Sequence, residues 1–161
     1  MKKNQKERET EYREKLNRLN SIAIMPTGNS MWPTLKNKKQ SVIVKKPTGR
    51  LSKNDVALYV SLDGNLILHR VREITADGYI MQGDSQTRTE AIKNEQIVGV
   101  MDGFYLGKKY ISVTDESYKK RVEKWYENEK KRKKRIKMFY IRQAIKGKLI
   151  KIFKGGQNGK V

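Results

Sequence analysis

The uneven distribution of charge along the chain is the feature that most limits how it can fold. Residues 118–161 contain 17 lysines and arginines against three acidic residues, whereas residues 21–117 contain 13 basic and 10 acidic residues. The whole chain of 161 residues carries a net charge of +20 and is only 36% hydrophobic, so a compact core requires the charge to be segregated. We therefore predict three parts: a charged helix or arm over residues 1–20, a β-rich domain over residues 21–114, and a basic amphipathic helical tail over residues 115–161.

The middle of the chain is composed of short β-rich runs, each closed by residues that favour turns. This pattern predicts strands over residues 21–25, 41–45, 55–60, 66–74, 78–82, 97–104 and 109–113. Asp63-Gly64 and Asp77-Gly78 each separate two of these runs, as is typical of β-hairpins. We expect a mainly β fold, a folded sheet or a barrel-like domain, with flanking N- and C-terminal helices.

Both ends of the chain have helical composition. Residues 3–20 are rich in Glu, Lys, Arg and Leu but have few apolar anchors, which predicts a solvated helix or a frayed arm. Residues 115–154 are predicted to be helical, with Thr114 or Asp115 as the N-cap. Two apolar stripes lie within this region: Val122, Trp125 and Tyr126, then Met138, Ile141, Ile145, Leu149 and Ile152.

Composition excludes several kinds of site. The chain has no cysteine and one histidine, so disulfide scaffolds, thiolate zinc sites, cysteine nucleophiles and histidine-cluster metal sites are ruled out. We expect neither a metal nor another cofactor. The apolar stretches are too short to cross a bilayer, and the N-terminus lacks the apolar segment of a signal peptide. We therefore expect a cytoplasmic protein, with peripheral membrane contact left open.

Three segments contain residues that can do chemistry. Ser30 lies between Gly28 and Pro33, on a constrained turn of the kind that can present a serine Oγ together with its own backbone N–H. His69 is the only histidine and lies within a predicted strand, and Asp84 follows a glycine at the end of another. Each segment alone is also compatible with ordinary structure, namely a turn, a core histidine and a second turn.

Taken together and in order, these segments resemble the serine peptidases of the signal peptidase I family, in the clan shared with LexA-type self-cleaving repressors. Residues 28–35 resemble the nucleophile box, Ser-Met-x-Pro-Thr, and residues 67–71 the box that carries the base. The remaining similar segments are residues 53–59, residues 82–85 and Gly99-Val100. Bacterial members usually have lysine where His69 stands, and histidine marks the branch similar to the endoplasmic-reticulum and sporulation-type signal peptidases.

The resemblance implies a role for each candidate residue. Ser30 would be the nucleophile, and its backbone N–H would donate to the oxyanion. His69 would be the general base, and Asp84 the carboxylate that orients or supports it. Ser85 stands where the family usually has asparagine, and Glu90 is the supporting acid available where a second acidic residue is expected.

The resemblance also implies a function: a serine endopeptidase that cleaves a leader or precursor peptide after small residues, with a peptide or preprotein as partner. Two alternatives remain open. One is a self-cleaving regulator of the LexA kind, disfavoured because only about twenty residues precede the catalytic region and no Ala-Gly or Cys-Gly pair is present. The other is an inactive binding module of the same fold whose basic tail binds an anionic membrane or nucleic acid.

The basic tail has three interpretations. Residues 118–154 could lie on an anionic membrane surface, or their apolar stripe could pack on the β-rich domain or the N-terminal helix. The run Lys130–Arg135 could also neutralise nucleic-acid phosphates. Because neither a helix-turn-helix pattern nor an aromatic RNA-binding box accompanies it, nucleic acid is the least favoured partner.

Overall fold

The protein is mainly β, with helices before and after one antiparallel sheet, as the sequence predicts. The computed structural model describes residues 4–155, with the side chains of residues 4–148. The helices are α1 (Gln5–Leu19), α2 (Glu116–Tyr126) and α3 (Glu129–Gly155). The strands are β1 (Ser21–Ile24), β2 (Val42–Lys45), β3 (Val56–Val60), β4 (Leu66–Ile74), β5 (Gly78–Gln82), β6 (Glu90–Lys93), β7 (Ile97–Leu106) and β8 (Lys109–Ser112).

The strands lie in the order β1-β2-β7-β3-β4-β5-β6, and β8 pairs with β7. All pairs are antiparallel, and the sheet formed by the described residues is open, not closed into a barrel. Both predicted hairpins are confirmed, since β3 pairs with β4 across Asp63-Gly64 and β4 pairs with β5 across Asp77-Gly78. Gly64 has a φ of 75°, a conformation that glycine adopts without steric cost.

Two features differ from the sequence prediction. The strand β6 was not predicted, because Ile92 is its one large apolar residue and its neighbours are charged or small. The C-terminal helical region is divided at Glu127 and Asn128. Asn128 begins α3, where its side chain accepts a hydrogen bond from the Lys131 N–H at 2.9 Å and its carbonyl accepts from the Arg132 N–H.

The predicted N-terminal helix is present, and most of its residues are exposed, but it is anchored on the sheet. Its start is fixed by a capping box between Asn4 and Glu7. Leu16 is buried, and the Arg13 guanidinium donates to the backbone carbonyls of Ile97 and Glu95 at 2.9 and 3.0 Å. These contacts hold α1 against the sheet, in the same compact unit.

Within the described residues the chain forms two compact units, and the division falls inside α2, after Val122. One cluster in the core of the first unit joins apolar residues of β3, β4, β5, β6 and β7 to Leu51, which precedes β3. It comprises Leu51, Ala57, Tyr59, Val71, Tyr79, Met81, Ile92 and Val100. In the second unit Trp125 and Ile136 are buried.

Across the described residues, no helix has the length and apolar content needed to cross a membrane. The predicted apolar stripe of the tail is described as far as Ile145. The side chains of Leu149, Ile152 and Phe153 lie outside the described residues, as do residues 156–161.

Candidate active site

Ser30 lies on a turn that follows β1 and is anchored on both sides. The buried side chains of Met31 and Leu35 hold the turn on the core, and the Leu35 N–H donates to the Met31 carbonyl at 2.8 Å. The segment after β5 also binds it, because the Ser85 N–H donates to the Ser30 carbonyl at 2.8 Å and the Ser85 hydroxyl donates to the Asn29 carbonyl at 2.7 Å. Ser85, noted in the sequence as a replacement for asparagine, thus fixes the backbone of the Ser30 turn.

His69 lies on β4 and faces the same side of the sheet as Tyr59 of β3. In the register of these strands His69 is opposite Ala57, and Tyr59 is opposite Ile67, so Tyr59 is the diagonal neighbour of His69 on the same face. The Tyr59 hydroxyl is 3.1 Å from His69 Nδ1 and donates to Glu90 Oε2 at 2.8 Å. Tyr59 was not predicted to belong to the site.

This chain of hydrogen bonds determines which nitrogen of His69 carries the proton. A phenol has one O–H, and that of Tyr59 is directed to Glu90. Towards His69 the phenol oxygen can therefore only accept, which places the imidazole proton on Nδ1. The opposite nitrogen, Nε2, then keeps its lone pair, as a general base requires.

Glu90 is held by a second contact. Its Oε1 accepts from the Leu62 N–H at 2.8 Å, while Oε2 receives the Tyr59 hydroxyl. Burial, and then the hydrogen bond to Glu90, raise the pKa of Tyr59 well above its usual value, so the phenol stays protonated and keeps donating. Glu90 therefore supports His69 through Tyr59.

Asp84, which the resemblance makes the carboxylate that orients or supports the base, forms an ion pair with Arg70. Its carboxylate accepts two hydrogen bonds from the Arg70 guanidinium, one from Nε–H to Oδ1 at 2.8 Å and one from Nη2–H to Oδ2 at 2.7 Å. Oδ2 also accepts a hydrogen bond from the Thr34 hydroxyl. Both members of this ion pair are completely buried. Asp84 acts on His69 through its charge, which raises the pKa of His69 less than the charge of Glu90 does.

Burial dominates the ionisation of His69. It lowers the pKa of this histidine from 6.5 to about 4, against the opposing effects of Glu90 and Asp84. His69 is 7% exposed. At neutral pH the imidazole is therefore uncharged and in the state that can accept a proton.

Ser30 and His69 line the same open cleft, which has a volume of about 340 Å³. Its walls combine polar and apolar groups and include Ile24 of the edge strand β1, Met25 directly after that strand, and Tyr12 of α1. An open cleft beside an edge strand can accept an extended peptide. In the part of the chain that the structure describes, no three His, Cys, Asp or Glu side chains cluster as a metal ion would require.

In comparisons with known proteins, the chain matches no protein-family model. A search of the curated proteins likewise finds no match to it.

Because Asp84 and Arg70 form a buried ion pair, we predict that replacing Asp84 with alanine mainly lowers the stability of the fold. Asp84→Ala leaves the Arg70 charge buried without its carboxylate, and we expect a loss of about 3–5 kcal/mol in the free energy of unfolding. Glu116→Ala, which removes the exposed pair with Lys119, is the control and should cost less than about 1 kcal/mol. Urea denaturation measures both. An Asp84→Ala protein of wild-type stability would contradict the structural role.

The depressed pKa of His69 predicts a specific dependence of stability on pH. Between pH 6.5 and about 4 the unfolded chain binds a proton at this position and the folded chain does not, so stability falls as pH falls through this window. We expect the wild type to lose up to about 3 kcal/mol more than His69→Gln over this range. Urea denaturation of both proteins at several pH values measures the difference. Identical dependence of stability on pH in the two proteins would show that the pKa of His69 is not lowered by folding.

Proposed function

We propose that the protein is a serine endopeptidase resembling signal peptidase I, which cleaves a leader or precursor peptide after small residues. The observation that carries the proposal is that Ser30 and His69, remote in sequence, line one cleft. His69 also has its Nδ1 held by a phenol whose own proton is directed to a carboxylate. A serine hydroxyl needs such an oriented base to act as a nucleophile near neutral pH.

The proposed reaction uses only side chains and backbone of this chain, without a cofactor. As Ser30 Oγ attacks the peptide carbonyl, His69 Nε2 takes its proton, and the carbonyl oxygen becomes an oxyanion that accepts from the Ser30 N–H. The imidazolium is stabilised by the nearby charges of Glu90 and Asp84. When the intermediate collapses, the C–N bond breaks and the leaving amine takes the proton from His69. Water then hydrolyses the acyl-serine by the same route.

Tyr59 is a positioning residue in this scheme. It does not touch the reacting atoms, but it accepts from Nδ1–H and so directs the basic nitrogen to the opposite side of the ring. It also links His69 to Glu90, whose negative charge favours the imidazolium formed during attack. Glu90 is thus the supporting acid of the proposed site. Asp84, which is paired with Arg70, contributes to the stability of the imidazolium through its charge.

The second candidate is the binding module, and the burial of His69 favours it. A histidine with a pKa of about 4 is a weak base when the cleft is empty, so its basicity must rise when the transition state forms for catalysis to proceed. The self-cleaving regulator uses the same Ser30 and His69 but would cut the chain itself.

The central test is peptide cleavage by the full chain and by Ser30→Ala. The probe is a library of peptides from a digested proteome, with new termini identified by mass spectrometry. We expect wild-type cleavage after small residues, complete loss in Ser30→Ala, and unchanged cleavage in Ser117→Ala, which alters an exposed serine of α2.

The other outcomes distinguish the candidates. Cleavage that persists in Ser30→Ala would overturn the proposal, since another group would then be responsible. If the wild type leaves all peptides intact, the binding module is favoured. A discrete internal cut in the wild-type chain, detected as a change of intact mass and absent from Ser30→Ala, would favour the self-cleaving regulator.

Replacing Tyr59 with phenylalanine tests the positioning role. We expect Tyr59→Phe to lower kcat/KM by about a hundredfold, less than the roughly 10⁴-fold lost when the orienting carboxylate of a Ser-His-Asp triad is neutralised. The control is Tyr79→Phe, which removes a buried phenol hydroxyl that accepts from the Leu51 N–H. Both variants should lose stability, but only Tyr59→Phe should lose activity. Equal kcat/KM for both variants would exclude Tyr59 from the site.

A further inference from the structure

The middle of α3 has an apolar stripe on an exposed stretch of helix. Met138, Ile141 and Ile145 are 42%, 40% and 53% exposed, and their spacing of three and four residues places them on one face. From Lys137 to Lys148 every residue is exposed except Phe139, which is half-buried. Aliphatic side chains in such a row favour an apolar environment that water does not provide.

The same helix is strongly cationic. Residues 129–148 contain ten lysines and arginines and one acidic residue, Glu129. The segment therefore has a net charge of +9, and its one buried cation, Arg132, is paired with Glu129 at 3.1 Å. At 3.6 residues per turn, Arg142 and Lys146 lie along one side of the apolar stripe, and Lys137 and Lys148 lie along the other.

We propose that residues 129–148 bind the surface of an anionic phospholipid bilayer. Met138, Ile141 and Ile145 would enter the boundary between headgroups and acyl chains. The flanking lysines and arginines would extend to the lipid phosphates, because their aliphatic stems can lie along the apolar region while their charged ends remain at the surface. The proposal concerns α3 alone and does not depend on the peptidase function.

The stripe and the charge together favour a membrane over the other occupants. Nucleic-acid phosphates would attract the cations but would leave the aliphatic row in water. A second copy of this helix could cover the row, but it would bring two segments of net charge +9 together. An anionic bilayer satisfies both features, since it supplies an apolar layer beneath a negatively charged surface.

The test is co-sedimentation of the full chain with vesicles of phosphatidylcholine, with and without phosphatidylglycerol. We expect binding to the anionic vesicles that weakens with added salt, and little binding to phosphatidylcholine alone. The double variant Ile141→Gln, Ile145→Gln should bind the anionic vesicles at least tenfold more weakly. The matched control is Leu62→Gln, Ile74→Gln, which alters exposed apolar residues outside α3 and should bind as the wild type does.

A second set of variants tests the charge. Each substitution in the series Lys137→Gln, Arg142→Gln and Lys146→Gln should weaken vesicle binding by about fivefold. Circular dichroism checks that each variant remains folded. Ser30→Ala should bind vesicles normally, so failure of the membrane proposal and failure of the peptidase proposal are distinguishable.

Three results would overturn the proposal. The first is no preference for anionic vesicles, and the second is vesicle binding that the Ile141→Gln, Ile145→Gln variant retains in full. The third is absence of vesicle binding. If an RNA oligonucleotide then binds the chain, residues 129–148 form a nucleic-acid-binding surface. If sedimentation equilibrium instead detects self-association that the isoleucine variant abolishes, the stripe binds a second copy.

Discussion

A buried ion pair between Arg70 and Asp84 joins the segments on which the site depends. Arg70 follows His69 on β4, Asp84 follows β5, and Asp84 also accepts from Thr34, which belongs to the same turn as Ser30. The guanidinium donates further to the Asn54 carbonyl and to the Tyr118 hydroxyl. Breaking such a pair leaves a buried charge uncompensated, so the strand of the candidate base and the turn of the candidate nucleophile are fixed together.

The two acidic residues of the site have different positions and, in our account, different roles. Asp84 is the counter-ion of a buried arginine and stabilises the fold around the cleft. Glu90, at the start of β6, accepts the hydrogen bond that the Tyr59 hydroxyl donates and thereby sets the tautomer of His69. The Tyr59 phenol lies between the Glu90 carboxylate and the imidazole, so Glu90 orients His69 without a direct hydrogen bond to it.

The sequence predicted the fold well where local pattern determines structure. Alternating apolar residues and Asp-Gly turns specified β3, β4 and β5, but β6 has too few apolar residues to be recognised. The break before α3 lies in a uniformly charged region, where Asn128 was the signal that could have located it.

For the site, motif order selected Ser30 and His69 as candidates, and Glu90 was noted as a candidate supporting acid. Tyr59 could not be identified, because a tyrosine within an apolar strand is indistinguishable from a core residue. Its position beside His69 depends on the register of β3 against β4. The partners of Asp84 likewise depend on three-dimensional contacts, and Arg70, a cation in the middle of a predicted strand, was the signal that could have indicated a buried acid.

The tautomer and ionisation of His69 test the central claim most directly. Because the chain has one histidine, ¹⁵N labelling of histidine gives signals from this imidazole alone. We expect a neutral ring at pH 7 with its proton on Nδ1, an unprotonated Nε2, and titration with a pKa of about 4. We also expect Tyr59→Phe to remove the preference for Nδ1–H. A ring protonated at Nε2, or one that titrates near 6.5, would contradict the account.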